Sequence, residues 1–251
     1  MTASPSRPRR PKAAPRRFRP AATAGAAGTD LRARILYRDN QIMVVDKPAG
    51  VPVHAGPRAA RSVESMLGTL RFGLSHTPTP AHRLDHDTSG CLILARNDRA
   101  RSKLGRLFVA GRIEKVYWAI VVGAPLSWEG RIELPLRKVT SESGWYMIAD
   151  HAGQMAVTDF KVLGRSSDTA WLELRPRTGR THQLRVHCAT IGCAILGDPV
   201  YGARPPAATP LHLVARAVTI PFYEHRPALA VEAPPPAHML PALAACGYSA
   251  G

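Results

Sequence analysis

The sequence predicts an α+β fold, because strand-like and helix-like segments are mixed without the regular alternation of parallel α/β proteins. Short β-branched and aromatic runs mark the strands, and apolar residues three and four positions apart mark the helices. The chain has 251 residues, of which 45% are hydrophobic, as is ordinary for a protein with a packed core.

The predicted strands are short apolar runs bounded by turn residues. The first is followed by a Lys-Pro-Ala-Gly turn at residues 47–50, and the later ones are rich in β-branched and aromatic residues. These strands cover residues 42–45, 91–95, 116–122 and 171–175.

Three helices are predicted from apolar spacing and from residues that begin or end helices. Ser62 is a suitable N-cap for the first, Gly111 lies near the end of the second, and Gly192 occupies the C-cap position of the third. Their apolar faces are formed by Val63, Met66, Leu67 and Leu70, by Ala100, Leu104, Leu107 and Phe108, and by Leu184, Cys188 and Ile191.

The two ends of the chain differ in composition from the rest. Residues 1–29 contain seven Lys and Arg, five prolines and no acidic residue, so we expect a disordered basic arm. Residues 226–251 are rich in Ala and Pro and are expected to form coil, at least in part at the surface. Residues 30–225 are left as one folded domain.

The charge of the chain indicates a polyanionic partner. The net charge is +16, from 34 Lys and Arg against 18 Asp and Glu, and nucleic acid is the simplest partner for so basic a protein. An acidic membrane surface is less favoured, because no basic amphipathic helix stands out. No run approaches the roughly 18 apolar residues of a membrane span, and no secretory signal is recognisable.

The four cysteines argue against a zinc ribbon and for a reducing environment. Cys91, Cys188, Cys193 and Cys246 contain no Cys-x-x-Cys pair. Cys188 and Cys193 are expected to be small core residues near a helix end. We therefore expect a cytoplasmic protein.

The densest group of polar residues lies at residues 81–90, AHRLDHDTSG. Burying such a cluster without partners is costly, so it usually marks a site. Asp85 could instead be a turn-capping aspartate. His82 and His86 have the His-x-x-x-His spacing of a zinc pair on a helix, but the Asp-Thr-Ser-Gly sequence that follows is a turn signal.

The string HRLDHDTSG resembles the H-R-L-D-x-x-T-S-G signature of the RluA-type pseudouridine synthases. Further matches follow in the family's order: residues 35–56, KVYWA at 115–119, TGRTHQLRVH at 178–187, ILGDPVYG at 195–202 and LHL at 211–213. The resemblance covers about residues 34–222. It identifies residues 30–225 as a catalytic domain, of the short form that lacks an S4-type RNA-binding domain.

The resemblance implies a long, bent, mainly antiparallel sheet, flanked by helices and loops, with a central RNA-binding cleft. It implies that Asp85 is the catalytic carboxylate and that Arg185 is its ion-pair partner. It also implies that Tyr117 is a catalytic residue, which stacks on the target base and can take part in proton removal. From residue type alone, Arg185 could equally lie on a solvated helix face and bind phosphate, and Tyr117 could be an inward residue of a strand.

The remaining candidate residues are expected to contact RNA or to support the site. Arg83 resembles the family arginine that enters the RNA near the vacated base, and His82 is expected to brace the loop by a hydrogen bond. Contacts with phosphate or the flipped nucleotide are expected from Lys115, Arg180, His182 and Gln183. The turn containing Lys47 could be purely structural. Neither a cofactor nor a metal is expected.

Three functions are compared. The first is an RNA pseudouridine synthase acting on ribosomal RNA, transfer RNA or both, and nothing in the residues demands more than a monomer. The second is a non-catalytic RNA-binding protein of the same fold, but such a protein would be expected to have lost Asp85, Tyr117 or Arg185. The third is a metal-dependent hydrolase that uses His82, His86, His182 or His187.

We expect removal of residues 1–29 to weaken RNA binding and to flatten its salt dependence. For every phosphate that the arm neutralises, its removal should lower the slope of log affinity against log salt by about 0.7–0.9. The measurement is an RNA-binding titration of the full chain and of residues 30–251 over a range of salt. Equal slopes would exclude the arm from RNA contact.

Overall fold

A computed structural model describes residues 30–55, 61–142, 144–202 and 209–249. The basic arm predicted at residues 1–29 therefore lies outside the described residues. The strands are β1 Ile35–Arg38, β2 Ile42–Lys47, β3 Thr79–Pro80, β4 Ser89–Ala95, β5 Glu114–Val122, β6 Glu129–Ser141, β7 Gly144–Ala149, β8 Gln154–Arg165, β9 Thr169–Pro176, β10 Leu213–Ile220 and β11 Leu229–Glu232. The α-helices are α1 Val63–Met66, α2 Asp98–Val109, α3 Gln183–Thr190 and α4 Leu240–Ala245, and short 3-10 helices cover Leu31–Arg34, Leu67–Leu70 and Ala237–Met239.

The strands described form one sheet in the order β1-β2-β4-β10-β5-β9-β8-β6-β7, with β3 beside β4 and β11 beside β10. Neighbouring strands are antiparallel except β4 and β10, which are parallel. The predicted α+β class and mainly antiparallel sheet are thus confirmed.

The order of the central strands brings distant parts of the chain together. Strand β10 lies between β4 and β5, so that Ala215 pairs with Gly90 on one side and with Tyr117 on the other. Tyr117 in turn pairs with Leu174 of β9. The loop that precedes β4, the middle of β5 and the end of β9 consequently meet at one place on the sheet.

Strand β4 is buried on both faces, which explains its unbroken apolar sequence. Cys91 and Ile93 pack with Leu104 of α2 on one face. Leu92 and Leu94 pack on the other face with the residues of α1 and the 3-10 helix that follows it. The sheet therefore separates two apolar clusters at its centre.

The three predicted helices form where the sequence places them. Ser62 caps α1 by accepting a hydrogen bond from the Ser65 N–H, and Asn97 caps α2 in the same way. Helix α2 ends just before Gly111, and α3 ends just before Gly192; both glycines have positive φ. The expectation that Cys188 and Cys193 are core residues is also confirmed, since all four cysteines are free and buried.

The expectation of coil for residues 226–251 is wrong for much of that segment. Strand β11 pairs with β10, and α4 buries Leu243 against Ile120 and Val214. Among its Ala and Pro residues, this segment has a few well-spaced apolar residues. They cover the face of the central strands that carries Ile120 and Val214. Trp118 lies on this face with Trp171, at 4.7 Å between ring centroids.

No helix within the described ranges is both long and apolar enough to cross a membrane.

We expect Gly90→Ala to lower the free energy of unfolding by about 3 kcal/mol or more. Gly90 has φ +103°, and an added Cβ would lie 2.3 Å from the carbonyl oxygen of Ala215. Urea unfolding measures the change. The matched control is Gly105→Ala, on the exposed surface of α2, where a Cβ meets nothing within 4 Å and should stabilise by about 0.5–1 kcal/mol. Equal effects of the two substitutions would contradict this account.

Candidate active site

A cavity of about 710 Å³ opens where the loop before β4 meets β5, β9 and α3. It is bordered by the loop before β4, the end of α2, β5, and the segment from β9 into α3. Eight of the nine predicted site residues line it: His82, Arg83, Asp85, Lys115, Tyr117, Arg180, Gln183 and Arg185. The ninth, His182, is not in the lining but lies between two residues that are, Thr181 and Gln183.

Asp85 presents an unpartnered carboxylate to this cavity. The side chain is partly buried, and no hydrogen bond or ion pair to it occurs within the part of the chain that the structure describes. The turn is closed by the backbone instead, through the Thr88 N–H and the Asp85 carbonyl oxygen at 3.2 Å. The turn-capping interpretation of the Asp85 side chain is therefore wrong.

Lys47 fixes the carbonyl group of His86, the residue after Asp85. Its fully buried ammonium donates to the carbonyl oxygens of Pro48 at 2.9 Å, Val51 at 2.7 Å and His86 at 3.0 Å. Burial lowers the pKa of Lys47 to about 8, against the opposing charges of Asp87, Asp85 and Asp46. The Lys-Pro-Ala-Gly turn is thus structural, and it supports the loop that carries Asp85.

His82 braces the same loop from the other side, as expected. Its Nε2 accepts a hydrogen bond from the Ile93 N–H at 3.0 Å, so this nitrogen is not free to bind a metal. Its proposed zinc partner, His86, is exposed and lies 2.6 Å from the Asp87 carboxylate. Burial lowers the pKa of His82 to about 4, with a smaller contribution from Lys115.

The predicted ion pair of Arg185 with Asp85 is not what the structure shows. Arg185 forms two hydrogen bonds of 2.8 Å to Asp198, and both side chains are buried. Burial disfavours the charge of Arg185, but the hydrogen bonds and charge of Asp198, together with Asp85, raise its pKa. Asp85 and Arg185 still face one cavity. The solvated-face alternative for Arg185 is wrong as well.

The physical reason for this difference lies in the turn after α3. Asp198 also accepts hydrogen bonds from the N–H groups of Val200 and Tyr201, which aims its carboxylate at the helix. Burial favours neutralising Asp198, but Arg185 and these N–H donors lower its pKa overall. A bidentate pair buried in this way is stronger than a longer contact across an open cavity.

Tyr117 both lines the cavity and packs in the core. Its side chain contacts two buried apolar clusters, one that includes residues of β2 and β4 and one that includes residues of β9 and α3. Tyr117 can therefore be an inward residue of a strand and still present its ring to the cavity. Burial, with the charge of Asp85, raises the pKa of its phenol. At neutral pH the ring is therefore uncharged and presents a flat apolar surface.

Gln183, expected to contact RNA, is instead a structural residue whose amide is bound within the protein. Its oxygen accepts from the Thr178 hydroxyl at 2.7 Å and the Arg180 N–H at 3.0 Å. Its nitrogen donates to Val157 O at 3.0 Å and the Thr158 hydroxyl at 2.9 Å. These bonds occupy the amide and shape the loop that carries Arg180.

The remaining cations differ in how far they are available to a ligand. Arg83 and Arg180 are exposed, and the Arg180 Nε donates to Met155 O at 3.2 Å while leaving its other donors open. Lys115 is partly buried, donates to Thr178 O at 3.4 Å, and has its pKa lowered by burial. The cations that are open to a ligand, Arg83 and Arg180, therefore lie at the exposed mouth of the cavity rather than in its interior.

His182 is held beside the cavity in a backbone conformation with φ +51°. Its Nδ1 lies 2.8 Å from the Tyr201 hydroxyl, and its ring stacks on Trp145. Burial lowers the pKa of His182, and Arg185 and Arg83 add to this, while Asp85 and Asp198 oppose it. Sequence reasoning did not single out Asp198, Tyr201 or Trp145. The string ILGDPVYG contained the signal for the first two, an acid and an aromatic residue within one turn.

Comparison with known proteins identifies what these features resemble. The sequence model of the family described as RNA pseudouridylate synthase matches residues 41–190. A Zymomonas mobilis protein named as an RNA pseudouridine synthase is 47% identical over 175 residues, which cover 69% of this chain and 80% of that protein. Ribosomal large subunit pseudouridine synthase D of the same organism is 36% identical over 183 residues, covering 69% of this chain and 57% of the relative.

A solved structure agrees with these matches. The human protein RNA Pseudouridylate Synthase Domain Containing 4 superposes with a TM-score of 0.73 at 27% sequence identity. The superposition covers 86% of this chain and 94% of the human one.

We expect His82 to make the protein less stable as the pH falls from about 6.5 to about 4. The unfolded chain binds a proton with the ordinary histidine pKa of about 6.5, whereas the folded pKa is about 4. In this interval the unfolded state holds more protons, so the free energy of unfolding falls as protons are added. In His82→Gln this fall should be smaller by about 3 kcal/mol.

Urea unfolding at several pH values measures the effect, and the exposed His225 supplies the control substitution His225→Gln. An unchanged pH dependence in His82→Gln would show that His82 is not held neutral.

Proposed function

The chain belongs to the RNA pseudouridylate synthase family, whose members isomerise uridine in RNA to pseudouridine, and we propose that the cavity around Asp85 performs this reaction. The observation that carries the assignment is the Asp85 carboxylate, which has no partner among the described residues and shares its cavity with the cations Arg83, Lys115, Arg180 and Arg185 and with the ring of Tyr117. A structural aspartate in such a place would be paired, as Asp198 is. An unpaired one is available to react with substrate.

The reaction breaks the bond between N1 of uracil and C1′ of the ribose, turns the base, and joins C5 of uracil to C1′. Atoms and electrons balance within the nucleotide, because the proton that leaves C5 is matched by one gained at N1. We assign Asp85 as the nucleophile or base that acts on the electron-poor sugar. A covalent sugar adduct and a glycal both require this carboxylate.

Tyr117 is assigned as the stacking platform for the detached base. A uridine must leave its stack to reach the cavity, which costs a few kcal/mol, and stacking on an aromatic ring contributes about 1–3 kcal/mol in return. The buried Arg185 places a fixed positive charge near Asp85. Arg83, exposed at the mouth, is assigned to the RNA around the vacated position.

The electrostatics of the cavity favour an RNA backbone around the target. Its lining includes several cations, whereas Asp85 and Glu114 are the acidic residues in it. Two of the cations, Arg175 and Arg177, are paired with acids outside the lining. The exposed Arg180 is therefore assigned to a phosphate group, beside Arg83 at the vacated position.

We propose uridines of ribosomal RNA as the substrate, with transfer RNA as the second candidate. The relative named for the large ribosomal subunit supports the first. We also propose a cytoplasmic monomer, which suits four free and buried thiols. The non-catalytic alternative is not favoured, because Asp85, Tyr117 and Arg185 all face the cavity.

We expect Asp85→Asn to lower pseudouridine formation at least about 100-fold, the lower end of what a positioned acid or base contributes, while RNA binding changes little. The control is Asp87→Asn, two residues along the same loop, which removes an exposed pair with His86. Pseudouridines are mapped in total RNA from cells lacking the protein and from cells complemented with each variant.

The site missing in the deletion and restored by Asp87→Asn identifies the substrate. Near-normal modification by Asp85→Asn would refute the assignment of Asp85. A deletion that loses no pseudouridine would favour the non-catalytic RNA-binding protein.

A further inference from the structure

Beside the cavity, the hairpin of β6 and β7 carries an aromatic residue that the reaction does not use. We propose that Trp145, stacked on His182, is a second nucleotide subsite, which takes the unstacked base of a residue next to the target uridine. The inference builds on the proposed function, because it places the target uridine in the cavity around Asp85.

Trp145 is exposed although it is one of the largest apolar side chains. Its exposed fraction is 43%, and its ring lies 4.9 Å from that of His182 with 29° between the planes. A ligand that covers this ring would remove apolar surface from water, which is favourable. A flat aromatic surface of this kind suits any base, since every base has a π face.

The stacked rings of Trp145 and His182, called the platform below, are held in place by the hydroxyl of Tyr201. This oxygen accepts a hydrogen bond from the Met147 N–H of β7 at 2.9 Å and lies 2.8 Å from the Nδ1 of His182. The Tyr201 hydroxyl and the Nδ1 of His182 share one hydrogen bond, which either atom can donate. Tyr201 thereby ties the hairpin to the start of α3.

Apolar packing and an ion pair support this arrangement from below. Leu136 and Met147 of the hairpin pack with Val186 of α3 in one buried cluster. The N–H of Tyr201 donates to Asp198, which in turn holds Arg185. The platform and the cavity wall therefore belong to one rigid unit.

The charges around the platform suit a nucleotide. The Lys138 ammonium lies 4.7 Å from the centroid of the Trp145 ring, on an exposed side chain that has no carboxylate partner in the described part of the molecule. It can turn to a phosphate when a base covers the ring. The negative charge of Asp85 acts to raise the pKa of His182, so the platform lies within electrostatic range of Asp85.

The position also explains why a platform is useful there. A uridine that flips into the cavity leaves its neighbour without a stacking partner, which is part of the cost of flipping. An aromatic ring fixed at the rim restores that stacking. Binding of the neighbouring base would thus help to hold the target nucleotide in the flipped conformation.

The other exposed tryptophan provides a matched control. Trp128 has an exposed fraction of 59% and also carries a cation, Arg165, at 4.3 Å from its ring. It lies at the turn between β5 and β6, and in the described part of the molecule its ring contacts no residue beside the cavity, whereas the Trp145 ring stacks on His182. Loss of this ring should not affect a base bound beside Asp85.

The test is the affinity of an oligouridine of about twelve nucleotides, a length within the range that single-strand sites cover, measured by fluorescence anisotropy. Trp145→Ala should weaken binding by about 5-fold to 150-fold, the range for loss of one stacked base. Trp145→Phe should restore most of the affinity, because it keeps an aromatic ring. Trp128→Ala should stay within about 2-fold of the unsubstituted chain, because no base stacks there.

A second probe separates stacking from charge. An abasic ribose-phosphate oligomer of the same length should bind the unsubstituted chain and Trp145→Ala equally. The inference is overturned if Trp145→Ala binds oligouridine as tightly as Trp128→Ala does, or if the abasic oligomer shows the same loss.

Pseudouridine formation is scored in separate assays. Selective loss of oligouridine affinity in a chain that forms no pseudouridine would refute the proposed reaction and support this subsite.

Discussion

The buried ion pair of Arg185 and Asp198 is the interaction on which the arrangement of the site depends. It fixes a positive charge in the cavity wall without using the carboxylate of Asp85. It also orients the turn that carries Tyr201, and through Tyr201 it positions His182 and the β6–β7 hairpin. A buried pair is costly to desolvate, and good geometry with further hydrogen bonds offsets that cost.

The polar groups that support the loops of the site are fully engaged, in contrast to Asp85. The Lys47 ammonium is taken by three carbonyl oxygens, and the Gln183 amide by four partners. Such satisfied groups hold the loops in place because releasing any one of them would leave a buried donor or acceptor unpaired. The contrast between these engaged supporting groups and the free carboxylate of Asp85 is the ground on which we propose Asp85 as the reactive residue.

The sheet supplies the geometry that the loops require. Because β10 lies between β4 and β5, the loop with Asp85 and the strand with Tyr117 converge although they are far apart in sequence. Gly90 permits the close approach to β10, since a side chain there would overlap the backbone of Ala215. Strand β11 pairs with β10, and α4 packs on the face of β5 and β10 that carries Ile120 and Val214. The strands beneath the site are therefore packed against apolar residues on this face as well.

The sequence by itself determined the fold class, the principal helices and strands, and the loop and strand that carry Asp85 and Tyr117. These follow from local periodicity, caps and a dense polar motif, which are all short-range properties. Only the tertiary structure decided that Arg185 binds Asp198, that Gln183 is consumed internally, that residues 229–245 pack as strand and helix, and that Trp145 meets His182. Each of these depends on which distant group satisfies a charge, a hydrogen bond or an apolar surface, and no local pattern specifies that partner.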